Sequence, residues 1–362
     1  MTFPARSPFG HPRIELPLTR RAVLAGGSAG LAALVLGACK SSTTSGATTG
    51  SGAGQSVTVY SGRSKTLIDP ILQRFTTDTG IAVNVRYGDS ADLALQLETE
   101  GDKSPADVFF SQSPGALGYL SGKGHLRTLP AATLEKVDAT LRSSKGEWVG
   151  VSGRVRVLAY NTELVTTADL PASVFDLVDT RYKGKVAVAP SNGSFQDFIT
   201  SMRQQVGDPK TLEFLRDLKA NEAKTFANNA AIVEAVGRGE VQIGLVNHYY
   251  NERAKKENPG VKSENYHFPN EDLGNLVLLA GIAPMKASAN PAAEKLVDYL
   301  LGREAQEYFA TETLEYPLAA GVKPAVDLPP LTSIKAPPED LNNLGDLAVT
   351  ARLIDQSGIA GG

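Results

Sequence analysis

From residue 57 to residue 282 the chain alternates short β-rich apolar runs with stretches of helical period. Val57-Thr58-Val59-Tyr60 predicts a strand that ends in the polar turn Ser61-Gly62-Arg63-Ser64. Residues 67–77 then carry Leu67, Ile71, Leu72 and Phe75 at helical spacing, with Pro70 early in the helix, where proline is tolerated. Gly80 stops this helix, and Ile81-Ala82-Val83-Asn84-Val85 alternates as a second strand. Residues 92–100 read as a helix bearing Leu93, Leu95 and Leu97, and Ala106-Asp107-Val108-Phe109-Phe110 as a third strand. The order β-α-β-α-β predicts a parallel sheet with helices on its faces.

The same grammar returns further on. Residues 185–189 are strand-like, and residues 195–205 are helical. Ser194 is the expected N-cap of that helix, with Asp197 completing a capping box. Residues 212–220 and 230–238 predict two more helices, the second stopped by Gly239. Val241-Gln242-Ile243-Gly244-Leu245-Val246 is the strand that follows. Two longer apolar runs, 155–160 and 276–282, flank this second half. Their placement is that expected of hinge strands crossing between two lobes. No repeat of solenoid period is present.

The first residues read as an address. Arg20-Arg21 precedes an apolar stretch, 22–38, that ends in Leu36-Gly37-Ala38-Cys39. Twin arginines before a modest apolar segment predict a Tat-type export signal. Five Gly and Ser residues within the stretch argue against a spanning helix. Small residues before Cys39 resemble a bacterial lipobox, so Cys39 is the expected lipidation site; the alternative is an incidental cysteine in a membrane anchor. Cys39 is the only cysteine, which excludes an intramolecular disulfide and a cysteine-built metal site. Residues 40–55 are nearly all Ser, Thr, Gly and Ala and predict a flexible tether. Removing residues 1–39 takes four Arg and one Glu from 36 basic and 39 acidic residues, leaving a formal charge of −6. Nothing in that balance points to nucleic acid.

Candidate chemistry lies where strands end. Four polar turns follow predicted strands and precede helices or helix starts: 61–64, 111–113, 191–194 and 247–250. Ligands of open parallel sheets bind beyond such strand ends, and helix N-termini attract anions. Ser191-Asn192-Gly193-Ser194 is the best anion cradle, with hydroxyl and amide donors and a glycine for close approach; each such turn also reads as a plain N-cap. Asn247-His248-Tyr249-Tyr250 is the most informative of the four. In a continuing strand the two phenols would point to opposite faces. Residues 251–256 look helical, so Tyr249 and Tyr250 fall at a strand-to-helix turn, where successive side chains can converge. Two phenols of pKa about 10 cost roughly 8 kcal/mol to deprotonate at pH 7. A strongly Lewis-acidic cation such as Fe(III) supplies that. Left protonated, they are ordinary core or surface groups.

In this setting the chain resembles the periplasmic ferric-ion-binding proteins of ABC importers, the bacterial transferrins. The resemblance runs from Val57 to about residue 330. It rests on Val59-Tyr60-Ser61-Gly62-Arg63, residues 101–109 (Gly-Asp-Lys-Ser-Pro-Ala-Asp-Val-Phe), residues 151–157 (Val-Ser-Gly-Arg-Val-Arg-Val), Asn247 to Tyr250, and Glu315-Tyr316-Pro317-Leu318, in this order and spacing. It implies an α/β, two-lobed periplasmic-binding-protein fold, type II-like, with hinge strands and a ligand cleft between the lobes. It implies Tyr249 and Tyr250 as iron ligands, and Asn192, Gly193, Ser194, Asn229 and Asn247 as anchors for a phosphate or carbonate. The first-lobe cleft residues are expected to be Ser61, Arg63, Ser64 and Gln112. Ser64 stands where the best-known members have a metal-binding histidine, and Gln112 where they have a glutamate. Phe195 is nearest the position where another branch has a third tyrosine. An exogenous anion, water, or Asp89 or Asp92 is left to complete the shell, although both aspartates also read as solvated helix-start residues.

The expected organisation is a signal peptide at 1–39 and a linker at 40–55. The first lobe then comprises 56–154 and 278–328, and the second 155–277 and 329–362. The resemblance implies an exported, lipid-anchored monomer that delivers Fe(III) to an ABC permease. A binding protein for an oxyanion, a ferric chelate or another small solute is the alternative, with the tyrosines as hydrogen-bond donors. An enzyme is disfavoured, since the chain has no zinc motif, nucleophile elbow, phosphate loop or convincing carboxylate pair. His248 is read as a packing residue on the far face of its strand, and His125 and His267 as surface histidines.

Overall fold

The computed structural model describes residues 55–337, 341 and 344–361. The expected export signal, Cys39 and all of the expected tether but Gln55 lie outside the described residues. The chain opens β1 (Ser56–Ser61), α1 (Lys65–Thr79), β2 (Ala82–Tyr87), α2 (Ser90–Glu100), β3 (Val108–Ser111), α3 (Pro114–Gly122), α4 (Ala131–Leu134) and then the long β4 (Val149–Asn161). It continues β5 (Val186–Val188), α5 (Gly193–Val206), α6 (Asp208–Ala220), β6 (Lys224–Thr225), α7 (Asn229–Gly237), β7 (Ile243–Asn247), α8 (His248–Glu257) and β8 (Ser263–Tyr266). It closes β9 (Val277–Pro284), α9 (Ala292–Leu300), α10 (Arg303–Tyr308), a π-helical turn (Phe309–Thr313), β10 (Tyr316–Pro317) and α11 (Leu347–Ser357).

These elements form an α/β fold of two lobes joined through the strands β4 and β9. The sheet runs β2-β1-β3-β9-β4-β7-β5-β6, with β10 and β8 pairing additionally with β4. The 13-residue β4 belongs to both halves. Its residues 149–155 pair antiparallel with β9, and residues 156–160 pair antiparallel with β7. The chain leaves the first lobe along β4 and returns along β9, so the two apolar runs read as hinge strands occupy the junction. Within each lobe the β1–β2, β1–β3, β5–β6 and β5–β7 pairs are parallel, as βα alternation requires.

Local rules account for the elements. α1 buries Leu67, Ile68, Ile71, Leu72 and Phe75 on one stripe, and Gly80 ends it in the left-handed conformation (φ 70°) that glycine adopts without a Cβ penalty. The helix begins at Lys65, so Pro70 falls in its second turn. β1 and β3 lie inside the sheet and are mostly apolar and buried, whereas β2, at its edge, is half exposed. One sequence expectation fails here. Asn192, not Ser194, caps α5, its side chain accepting from the Ser194 amide at 3.1 Å. Asp197 forms no capping box, because its carboxylate turns out of the helix toward α3. No helix among the described residues is long and apolar enough to cross a membrane.

Candidate metal centre

β7 ends at Asn247 and α8 starts at once, so Tyr249 and Tyr250 occupy the first turn of a helix rather than the end of a strand. A turn of 100° per residue swings adjacent side chains to neighbouring positions, not opposite faces. The two rings stack at a centroid separation of 4.3 Å and an interplanar angle of 29°. Tyr250 lines the cleft, a cavity of about 530 Å³. Tyr249 is fully buried beneath it, and no protein group hydrogen-bonds its hydroxyl. Burial pushes the Tyr249 phenol well above its ordinary pKa; Tyr250 and Glu315 push the same way, while Arg63 and Arg154 oppose.

The anion-cradle residues converge on the same place. Ser194, at the start of α5, is buried, and its hydroxyl accepts from Asn247 Nδ2 at 3.0 Å. Asn229, in the first turn of α7, donates to Asn192 Oδ1 at 3.4 Å and keeps its own Oδ1 free of protein partners. Gly193 places no side chain in the way. Three helix N-termini, those of α5, α7 and α8, are thus gathered in the second lobe, each carrying the positive end of a helix dipole.

The first lobe contributes less, and differently. Ser61 is fully buried and engages the Arg63 backbone: its hydroxyl accepts from the Arg63 amide at 3.1 Å and lies 3.4 Å from the Arg63 carbonyl, so it is a brace rather than a cleft group. Ser64 is exposed at the cleft rim, its hydroxyl 3.0 Å from that of Thr66. Gln112 reaches across and donates to Ser194 Oγ at 3.4 Å. Asp89 also lines the cleft, exposed, with its carboxyl pushed up by partial burial and by Asp92. No cluster of three His, Cys, Asp or Glu side chains suited to a metal occurs among the described residues.

Sequence reasoning expected Arg63 at the cleft but missed the other charges under the tyrosines. Arg63, Arg154 and Arg156 are all buried, as are Glu315 and Asp197. Arg63 pairs with Glu315 at 2.5 Å. Burial works against its guanidinium, but Glu315 and Tyr249 outweigh that and leave its pKa raised. Arg154 donates to the Gln112 carbonyl and, at 3.3 Å, to Ser194 Oγ. Arg156 donates to Asn247 Oδ1 at 3.3 Å. Burial and the neighbouring Arg154 pull the pKa of Arg156 down to about 9. Burial raises that of Asp197 to about 7 against the pull of Arg154. Nitrogens of all three arginines have no protein partner: Nε and Nη1 of Arg63, Nη1 of Arg154, Nε and Nη2 of Arg156. A buried guanidinium with idle donors is suited to an anion. The signal was in the sequence: Arg154 and Arg156 are two apart in an apolar strand, which puts both on one face.

His248 is structural in this arrangement. Its Nδ1 accepts from the Val155 amide at 3.1 Å and its Nε2 meets the Leu314 carbonyl at 3.1 Å, tying α8 to β4 and to the turn before Glu315. Burial pulls its pKa down to about 3, so the ring is neutral. His267 is not the plain surface residue expected: it is half-buried, with Nδ1 lacking a protein partner and its pKa lowered by burial. His125 is also half-buried.

A two-lobed α/β body with a polar cleft at the hinge, floored by phenols and guanidiniums, defines a solute-binding protein. The family of bacterial extracellular solute-binding proteins matches residues 103–338, and this chain belongs to it. It is 32% identical over 309 residues to the major ferric iron-binding protein of Neisseria meningitidis, covering 84% of this chain and 93% of that one. It is 30% identical over 311 residues to the Fe(3+)-binding periplasmic protein of Serratia marcescens, covering 85% and 91%. Among solved structures, iron-bound HitA from Pseudomonas aeruginosa superposes with a TM-score of 0.80 at 32% identity, covering 84% of this chain and 99% of that one.

Proposed function

We propose that this chain captures ferric iron in the cleft, with Tyr249 and Tyr250 as phenolate ligands and an oxyanion seated on Asn192, Gly193, Ser194, Asn229 and Asn247. The observation that carries the reading is the stacked phenol pair at the N-terminus of α8, set over buried Arg63 and Arg154. Iron(III) is hard and highly charged and favours anionic oxygen donors. Binding would remove the phenolic protons, and the two arginines and three helix ends would then face anions instead of idle space. The oxyanion, phosphate or carbonate in class, would satisfy cradle donors and occupy part of the metal's shell. The protein is read as a carrier and not a catalyst. It would hand its cargo to the permease of an ABC importer, recognised in the closed form.

The test is optical. Ferric iron with phosphate or carbonate should give the protein a visible tyrosinate-to-iron charge-transfer band, at one iron per chain by native mass spectrometry. Tyr249→Phe and Tyr250→Phe should each weaken or abolish the band. A colourless protein that takes up no iron would sink the reading.

A second reading has its own support. The first lobe offers Ser64 and Gln112 to the cleft where a histidine and a carboxylate would ligate directly, and three buried arginines favour an anionic guest. An oxyanion or small anionic solute without iron would then be the ligand, and calorimetry with phosphate alone would show it. We also propose export through the twin-arginine segment and lipidation at Cys39, tethering a monomer to the outer face of the membrane.

A further inference from the structure

The two lobes meet at a buried contact that the cleft chemistry does not use. α3 follows β3 in the first lobe, and α5 follows β5 in the second. Asp197, in α5, is fully buried, and its carboxylate accepts from the Ser113 hydroxyl and from the Gly115 backbone N–H. Ser113 is the N-cap of α3, its hydroxyl accepting from the Ala116 amide at 3.3 Å. A second-lobe carboxylate therefore completes the cap of a first-lobe helix, at the end where its dipole favours negative charge.

The surroundings are shaped for this contact. A Cβ on Gly115 would lie 2.7 Å from Asp197 Oδ1 and 2.4 Å from the Leu344 carbonyl, so only glycine admits the carboxylate here. Arg154, on the shared strand β4, comes within 3.8 Å of Asp197 Oδ2 while bonding Gln112 in one lobe and Ser194 in the other. Asp197 is also spare as a local cap, since Asn192 already caps α5.

We propose that Asp197 is an interlobe positioning residue: it docks the N-terminus of α3 and thereby biases the first lobe toward closure over the cleft. The contact orders Arg154 between Gln112 and Ser194, so that the cradle and the first-lobe rim keep one spacing. Cargo adds to this bias, and its escape requires this contact to break.

The experiment measures lobe separation directly. Spin labels go on exposed α1 and α6 positions, Gln73→Cys and Lys210→Cys, in the full chain carrying Cys39→Ser. Asp197→Ala and Ser113→Ala should each lengthen the interlobe distance in the iron-free protein. The double variant should lengthen it no further than the more affected single, because both remove one contact. Gly115→Ala should reproduce the shift from the first lobe. Asp197→Asn, which keeps shape and an acceptor oxygen, should fall between wild type and alanine and serves if the alanine variant does not fold. In iron- and phosphate-loaded protein, dissociation into excess chelator should speed up about tenfold, about 1.4 kcal/mol, with association unchanged. An unchanged distance distribution in folded Asp197 variants, or shifts that simply add in the double variant, overturns the proposal. The distance readout needs no iron, so its failure is separable from failure of the ferric reading.

Discussion

Tyr249→Phe should move stability and iron binding in opposite directions. In the iron-free chain the Tyr249 hydroxyl is buried, protonated and without a protein partner, and the ring packs in a core that includes Phe309 and Leu67. A buried, unpaired polar group costs about 1–3 kcal/mol. Phenylalanine keeps the ring and its stacking on Tyr250, so the variant should gain about 1–2 kcal/mol, of which bound water would recover part. For a domain of this size that is a rise of a few degrees in Tm, at about 2–4 °C per kcal/mol or less. The same change would remove one of the two proposed anionic ligands and should abolish the charge-transfer band or shift it strongly. The assay is a thermal melt of iron-free protein beside a ferric titration on the same samples. A variant that loses more than about 1 kcal/mol and keeps the full band would refute the assignment of this hydroxyl to the metal.

The remaining predictions follow the same charges. As a proposed iron ligand, Tyr249 would bind only after losing a proton that burial holds on firmly, so binding would release a proton and affinity should rise with pH, by about tenfold or more per unit; competition titrations at pH 6, 7 and 8 would show it, and a flat profile would count against a phenolate ligand. Glu315→Gln strands the buried Arg63 and should destabilise by about 3–5 kcal/mol in a denaturant melt, whereas pairing Arg63→Met with Glu315→Leu should recover most of the loss. Cys39→Ala should abolish incorporation of labelled fatty acid and release the protein from the membrane fraction; continued labelling would exclude that cysteine as the acyl site.

The sequence revealed what is local and periodic. Alternating β and α patterns located the strands and most of the helices of both lobes, and four strand-end turns pointed to the cleft, because those signals depend on neighbours a few residues away. The tyrosine pair was legible as a converging pair, though it sits inside the helix start and not before it. What stayed hidden depends on partners far along the chain. Asp197 looked like half of a capping box, and only its meeting with Ser113, 84 residues earlier, turns it outward. Glu315 acquires meaning only from Arg63, 252 residues away. Arg154 and Arg156 were visible as a pair, but nothing local told that both faces of their strand would be buried.

The π-helical turn at Phe309–Thr313 makes this part of the chain intolerant of a change in length. It spends one residue more per turn than an α-helix, then bends through Leu314 in the left-handed conformation (φ 58°) before delivering Glu315. Removing a single residue would close the wide turn to ordinary helical winding and shorten the path to Leu314, so that Leu314 and Glu315 would no longer be delivered at their present positions. Glu315 would swing away from Arg63, and the Leu314 carbonyl away from His248. Substitutions in this turn act on one contact at a time, whereas a one-codon deletion would uncouple the tyrosine floor from the hinge in a single step.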